Sequence, residues 1–366
     1  MDRGDVGAGW SRPMVVRVPV EPVEAAVEAD AVDAVARTAD VVVRGPLFGV
    51  AAQYAGESRW RVVLAVTDGC PQQARDGLNS RLWFRAKDDA RDRAERRALL
   101  AAVARLESER VDELDVAGTR YRVVRAEEYA GAGPGGIEQP RPTDPEPLSP
   151  DWDRAAKGPG VDEGLVLDPD APVTPTQALE RLALRGLCYT GERFPEDVRA
   201  DALQALDTHP DVLLLPATFT VVEQTASGWT PVTGPHLNAH EARRSLEFAL
   251  TWMWPRMHGH IPQDAGPHAD ARTWADDGGA GGAGGATDGP RSAELAAYAE
   301  AADALRAGRV NRLEFRGTEY QIVRTRRLLR WGPDGPEGPR PSDVDSQDPS
   351  RIHLPLDEDG HVLPGD

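Results

Sequence analysis

Only two cysteines occur in the 366 residues, Cys70 and Cys188. That excludes a disulfide framework and a Cys-only zinc site, and the expected setting is a reducing cytoplasm. Long apolar runs are also missing. The longest, 98–104, falls far short of the about 18 residues that suggest a membrane span. Residues 1–22 lack the apolar core of a secretory signal. There is no P-loop, no dinucleotide-binding glycine fingerprint and no acyl-transfer serine motif. Positive charge is scarce as well: 42 Lys and Arg stand against 60 Asp and Glu, a formal net charge of −18. Such a balance argues against phosphate-backbone binding as the main task and disfavours anionic lipid, while it suits solubility.

Glycine and proline are abundant, at 36 and 31 residues. They concentrate in a few segments, which points to folded units with polar connectors and not to disorder throughout.

The strongest internal signal is a repeat. Shifted by 199 positions, 110–144 meets 309–343 without a gap and with 16 identities in 35 positions. Val111, Leu114, Gly118, Thr119, Tyr121, Val124 and Arg125 fall on Val310, Leu313, Gly317, Thr318, Tyr320, Val323 and Arg324. Pro140-Arg141-Pro142 falls on Pro339-Arg340-Pro341. Each copy opens as a hairpin, with Gly118 or Gly317 in a two-residue loop that needs positive φ. Period-two alternation puts Leu114, Val116, Tyr121 and Val123 on one face and Glu113, Asp115, Arg120 and Arg122 on the other. Leu114, Tyr121, Leu313 and Tyr320 are therefore expected to be shielded from water.

Upstream of each hairpin, 86–106 and 292–305 read as helices with apolar residues at helical spacing. Ala74, Arg75, Leu78 and Leu82 are echoed by Ala242, Arg243, Leu246 and Leu250 on a second pair of helices. Pro22–Arg37 and Pro175–Leu184 read as helices opened by proline, and 41–44 and 212–215 as short buried strands. The fold class read from these patterns is α+β: a tandem duplication of a helix–strand–hairpin–helix–helix–hairpin unit, with antiparallel sheets packed on helices. The organisation is a tail over 1–14, a first repeat over 15–129, a Pro/Gly/acidic connector over 130–173, a second repeat over 174–331 and a Pro-rich tail over 332–366. A flexible Gly/Ala insertion is placed at 276–290.

Four places carry candidate chemistry. His236, His240, His258 and His260 cluster with His268, and His236 and His240, four apart, would share a helix face. With Asp264 or Asp270 they make a possible metal site; the competing reading is capping or solvent-facing histidines, since the first copy has none at matching places. Trp252, Trp254 and Trp274 are either a ligand wall or core. Arg324, Arg326, Arg327, Arg330 and Trp331 could grip a phosphate or an acidic partner, or pair with the chain's own acidic connector. The Pro-Arg-Pro segments around Arg141 and Arg340 act either as structural straps or as docking peptides for another protein. Cys70 opens a helix, where a thiol pKa can fall, but no histidine lies near it in sequence.

The segment Val41-Val42-Val43-Arg44-Gly45-Pro46-Leu47-Phe48-Gly49-Val50 resembles a family, as do Leu82-Trp83-Phe84-Arg85-Ala86-Lys87 and Gly332-Pro333-Asp334-Gly335-Pro336-Glu337. It is an uncharacterised domain-of-unknown-function family of actinobacteria, and the likeness covers most of the chain. The resemblance implies no catalytic residue and no cofactor.

The resulting expectation is a cytoplasmic, non-enzymatic binding or scaffolding module for a protein or small ligand. A metal-dependent enzyme built on the histidines is the first alternative, and a nucleotide or nucleic-acid site on 324–331 the second. The sequence leaves the oligomeric state open.

Overall fold

The computed structural model describes residues 12–153, 160–225, 228–276 and 289–363. Residues 1–11 of the expected tail and the 278–285 Gly/Ala run lie outside the described residues. The chain is α+β. Its elements begin with α1 (Pro22–Arg37), β1 (Asp40–Tyr54), β2 (Trp60–Asp68), α2 (Pro71–Phe84) with a π-helical turn (Arg85–Asp89), and α3 (Arg93–Leu106). Next come β3 (Glu113–Val116), β4 (Thr119–Gly133), β5 (Gly136–Ile137), β6 (Val166–Leu167), α4 (Pro175–Leu184) and α5 (Glu196–Thr208). β7 (Asp211–Leu214), β8 (Thr218–Thr225), β9 (Gly228–Pro231) and α6 (Ala239–Phe248) follow, with a second π-helical turn (Ala249–Met253). The remainder is α7 (Trp254–Met257), α8 (Ala271–Asp276), α9 (Gly289–Ala307), β10 (Arg312–Phe315), β11 (Thr318–Gly332) and β12 (Gly335–Pro336). Among the described residues, no helix is long and apolar enough to cross a membrane.

The chain divides into two compact units. The first takes Met1–Tyr129, Pro159–Pro216 and Arg326–Asp366, and the second takes Ala130–Gly158 and Ala217–Thr325. In the first unit β2, β1, β4 and β11 lie side by side, with β6 on the outer edge of β2. β4 and β11 pair antiparallel from Tyr129↔Arg326 to Ala126↔Leu329, and β7 adds to β11 through Leu214↔Leu328. Helices α2 and α3 cover the sheet through Leu78, Leu82, Leu99 and Leu106, all buried with Phe48, Val50, Leu114 and Tyr121. Burying one such leucine fully stabilises by about 1.5–3 kcal/mol. A separate cluster gathers Leu47, Trp60, Val62, Val124, Leu213, Leu329 and Trp331. In the second unit β11 pairs with β8 from Tyr320↔Glu223 to Thr325↔Thr218, and α6 and α9 pack on that sheet.

The two hairpins follow from local chemistry. Leu114 faces Tyr121 and Val116 faces Thr119 across β3–β4; Leu313 faces Tyr320 and Phe315 faces Thr318 across β10–β11. Both loops take the left-handed backbone twice, at Ala117 (φ 50) and Gly118 (φ 74), and at Arg316 (φ 53) and Gly317 (φ 76). That is the two-residue turn whose twist matches its strands. Leu114, Tyr121 and Tyr320 are buried as expected, whereas Leu313 is only half-buried at the margin of its core. The charged face also differs in part. Arg122 is buried, lies over the Trp60 ring at 5.0 Å and donates to the Pro336 carbonyl at 2.9 Å.

The expected helix over 86–106 is two pieces. Ala90 turns extended, and Asp92 caps α3 by accepting the Glu95 N–H at 2.8 Å. An Asp followed three residues later by Glu is a helix-start signature, and here it overrides the continuous apolar spacing. Glu95 is itself held by Arg91 (2.7 Å) and Arg85 (2.5 Å), and these contacts lower its pKa to about 2 from the usual 4.5, the Arg91 hydrogen bond most of all. A carboxylate depressed in the folded state contributes stability above its unfolded pKa and loses it as pH falls through the folded one. Glu95→Gln should therefore lower the urea midpoint at pH 7, with the gap to wild type closing between pH 4.5 and pH 2. A gap constant with pH would reject the assignment.

Candidate functional site

The Pro-Arg-Pro segments act on the strands through the aspartate three residues after each arginine. The Arg141 N–H donates to Asp144 at 2.7 Å, and the Arg340 N–H to Asp343 at 2.7 Å. Each tight turn aims its carboxylate at a strand arginine. In the second unit Asp144 receives Arg324 Nε at 3.0 Å, and in the first Asp343 receives Arg125 Nε at 2.9 Å. Two residues further on, a second acid fastens a helix. Asp345 takes Arg75 of α2 at 2.8 Å, together with Asp112; Glu146 takes Arg243 of α6 at 2.5 Å, together with Asn311.

In the first unit this scheme extends into a cleft. Its volume is about 370 Å3. One wall is the start of β1, Val41, Val42 and Val43; the other is the irregular segment after α4, with Leu187, Cys188, Tyr189, Thr190, Arg193 and Phe194. Glu127 of β4 and Arg340 complete the lining. Val41 and Val42 are 48% and 46% exposed, so the apolar wall is open to an incoming molecule. Tyr189 and Phe194 pack ring against ring at 4.7 Å, and the Arg193 guanidinium sits over Phe194, also at 4.7 Å.

A buried charge network sits beneath. Glu127 Oε1 accepts from Arg125 at 2.5 Å and from Arg340 at 3.4 Å, and its Oε2 accepts the Tyr189 hydroxyl. Arg340 also holds Glu337, through Nε at 2.7 Å and Nη2 at 3.2 Å. Burial alone would raise the Glu127 pKa; Arg125, Tyr189 and Arg340 outweigh it and hold the carboxyl below its usual range. Burial, and then the Glu127 charge, pushes the Tyr189 phenol up. The tyrosine is thus a fixed donor and the glutamate a fixed anion, which suits recognition better than proton transfer. Among the described residues, no histidine or serine lines the cleft.

A family model described as "Family of unknown function (DUF5954)" matches residues 21–346. The chain belongs to DUF5954. No curated protein and no solved structure matches it. Every residue that lines the cleft falls inside the stretch shared with DUF5954.

The sequence candidates of this DUF5954 chain are placed as follows. His236 precedes the Asn238 cap of α6, in a segment bridged to Phe219, so it shares no helix face with His240. His240 is buried against Trp152, its Nε2 3.1 Å from the Asp151 carbonyl. His258 meets the Tyr298 hydroxyl at 2.7 Å, and His260 lies with its ring 6.4 Å from that of His258. Among the described residues no three His, Cys, Asp or Glu side chains gather as a metal site. Trp254 and Trp274 pack against the second core, while Trp252 stacks on Phe248 at 5.2 Å.

The arginines of 324–331 turn inward. Arg326 pairs with Glu180, Arg327 with Asp162, and Arg330 donates to the carbonyls of Arg185 and Leu187. Trp331 is buried and floors a second recess with Asp211, whose carboxylate is taken by the Arg12 N–H and Arg185. Arg141 pairs with Glu138 at 2.5 Å. Cys70 is buried with its sulfur 3.2 Å from the Ser346 hydroxyl. Of the sequence candidates, only Arg340 lines the cleft. Glu127, Tyr189 and Phe194, which line the cleft with it, are not among the sequence candidates. The signal available for them was an aromatic pair in a segment without periodicity, Tyr189 to Phe194, between two helices.

Proposed function

We propose that this chain is a binding protein for a small molecule and that the ligand enters the cleft between Val41–Val43 and the segment carrying Cys188 and Phe194. The observation that carries this reading is the joining of an open apolar wall to a fixed polar floor of Glu127, Tyr189 and Arg340. Small-molecule sites have that make-up, a mostly apolar lining with a few placed polar groups, and about 370 Å3 falls in their lower size range. The histidine and arginine alternatives fare less well. Among the described residues the histidines form no group of three metal-ligating side chains, and Arg326, Arg327 and Arg330 are engaged internally.

Thermal unfolding against a panel of small metabolites tests the reading. A true ligand at a hundredfold excess over its Kd stabilises by about 2.7 kcal/mol. The shift should vanish in Val42→Lys, which blocks the wall, and persist in Val27→Lys, an equally exposed position on α1 (45%). A panel without hits, or hits indifferent to Val42→Lys, would reject it.

A further inference from the structure

The cleft's charges select among ligands. Among the described residues Glu127 is the only carboxylate in the lining, and both its oxygens are already taken by Arg125, Arg340 and Tyr189. The lining holds two cations, Arg193 and Arg340. Arg193 is exposed at the mouth, and among the described residues no carboxylate lies within ion-pair distance of it; its one partner is the face of Phe194. Arg340 has five N–H donors. Three of them go to Glu337 and Glu127, and the other two have no acceptor among the described residues. Guanidinium N–H groups without a protein acceptor among the described residues therefore belong to both cations of the lining, Arg193 and Arg340, in a chain of net charge −18. A field of that sign repels anions in general, so unfilled guanidinium groups in a small cleft mark a place where one anion is favoured.

Resting on the small-ligand reading above, we infer that the ligand is a small amphiphilic carboxylate. Its head is received by the guanidinium groups of Arg193 and Arg340, and its aliphatic or aromatic body lies along Val41, Val42 and Phe194. The planar guanidinium fork matches a carboxylate, and charge-assisted hydrogen bonds are about twice as strong as neutral ones. An uncharged body of the same size would leave those donors unfilled, and a bare anion would leave the valines in water.

Cys188 in the wall supplies the readout. The native full-length chain is alkylated with iodoacetamide in the presence of octanoate, octan-1-ol or inorganic phosphate, and the Cys188 peptide is followed by mass spectrometry. Cys70, buried against Ser346, serves as the internal reference. Octanoate should slow Cys188 labelling several-fold, while octanol and phosphate at equal concentration leave it unchanged. Arg193→Gln, which removes the charge at an exposed position, should raise the half-protecting octanoate concentration about tenfold, the worth of one charge-assisted contact. Protection by octanol equal to that by octanoate, or octanoate protection untouched by Arg193→Gln, would overturn the carboxylate assignment and leave the cleft reading standing. If none of the three protects, both fall together.

Discussion

Asp162→Asn is expected to destabilise the first unit by about 3–5 kcal/mol, the usual cost of removing one partner from a buried ion pair. The side chains of Asp162 and Arg327 are both fully shielded from solvent. Arg327 also donates to the Val66 carbonyl at 3.2 Å and the Pro216 carbonyl at 3.0 Å, so it cannot swing out to water without breaking three attachments. Asparagine nearly matches aspartate in shape, and it tolerates the left-handed backbone that Asp162 adopts at φ 60. The substitution thus removes a charge without straining the chain, and Arg327 is left as an uncompensated buried cation. Chemical denaturation followed by tryptophan fluorescence measures the loss, with Glu163→Gln as an exposed neighbour expected to stay within about 0.5 kcal/mol of wild type. A cost below about 1 kcal/mol for Asp162→Asn would mean that water reaches the pair.

Arg125→Leu should be as damaging, about 3–5 kcal/mol at pH 7, and its cost should depend on pH. Arg125, 2% exposed, joins Glu127 on its own strand to Asp343 after the Pro-Arg-Pro turn. Leucine leaves both carboxylates in a buried place. In the wild type Arg125 keeps the Glu127 pKa low; in the variant the burial contribution, which raises it, dominates. The wild type loses the Glu127 contribution as pH falls, while the variant is relieved by protonation, so the difference between the two should narrow from pH 7 toward pH 4. Urea midpoints at several pH values give the comparison, and a difference that widens at low pH would contradict the network as described.

Local chemistry in the sequence carried the hairpins, because a two-residue loop with glycine and strict alternation leave one register open. The helices opened by Pro22 and Pro175 were legible for the same reason. The interruption of 86–106 was also written in the chain, as Asp92 and Glu95, but the apolar spacing across it was the louder signal. What could not be read were pairings between residues far apart. Nothing local distinguishes the Asp343 that Arg125 selects from the many other acids, and Arg327 could as well have faced solvent as Asp162. The cleft belongs to this second kind. Val41, Glu127, Phe194 and Arg340 come from four separate stretches, and only the tertiary fold of the first unit brings them to one place.

The order of the segments has a consequence for synthesis. The second unit ends at Thr325, while the first still needs Arg326–Asp366, which brings the last length of β11, β12 and the Arg340 strap. On the ribosome, where domains tend to fold as they emerge, the second unit is complete while the first waits with Arg125 and Glu127 lacking Asp343 and Arg340. The cleft is thus among the last features the growing chain can assemble, and a nascent protein released early would carry a finished second unit and a cleft floor without Arg340.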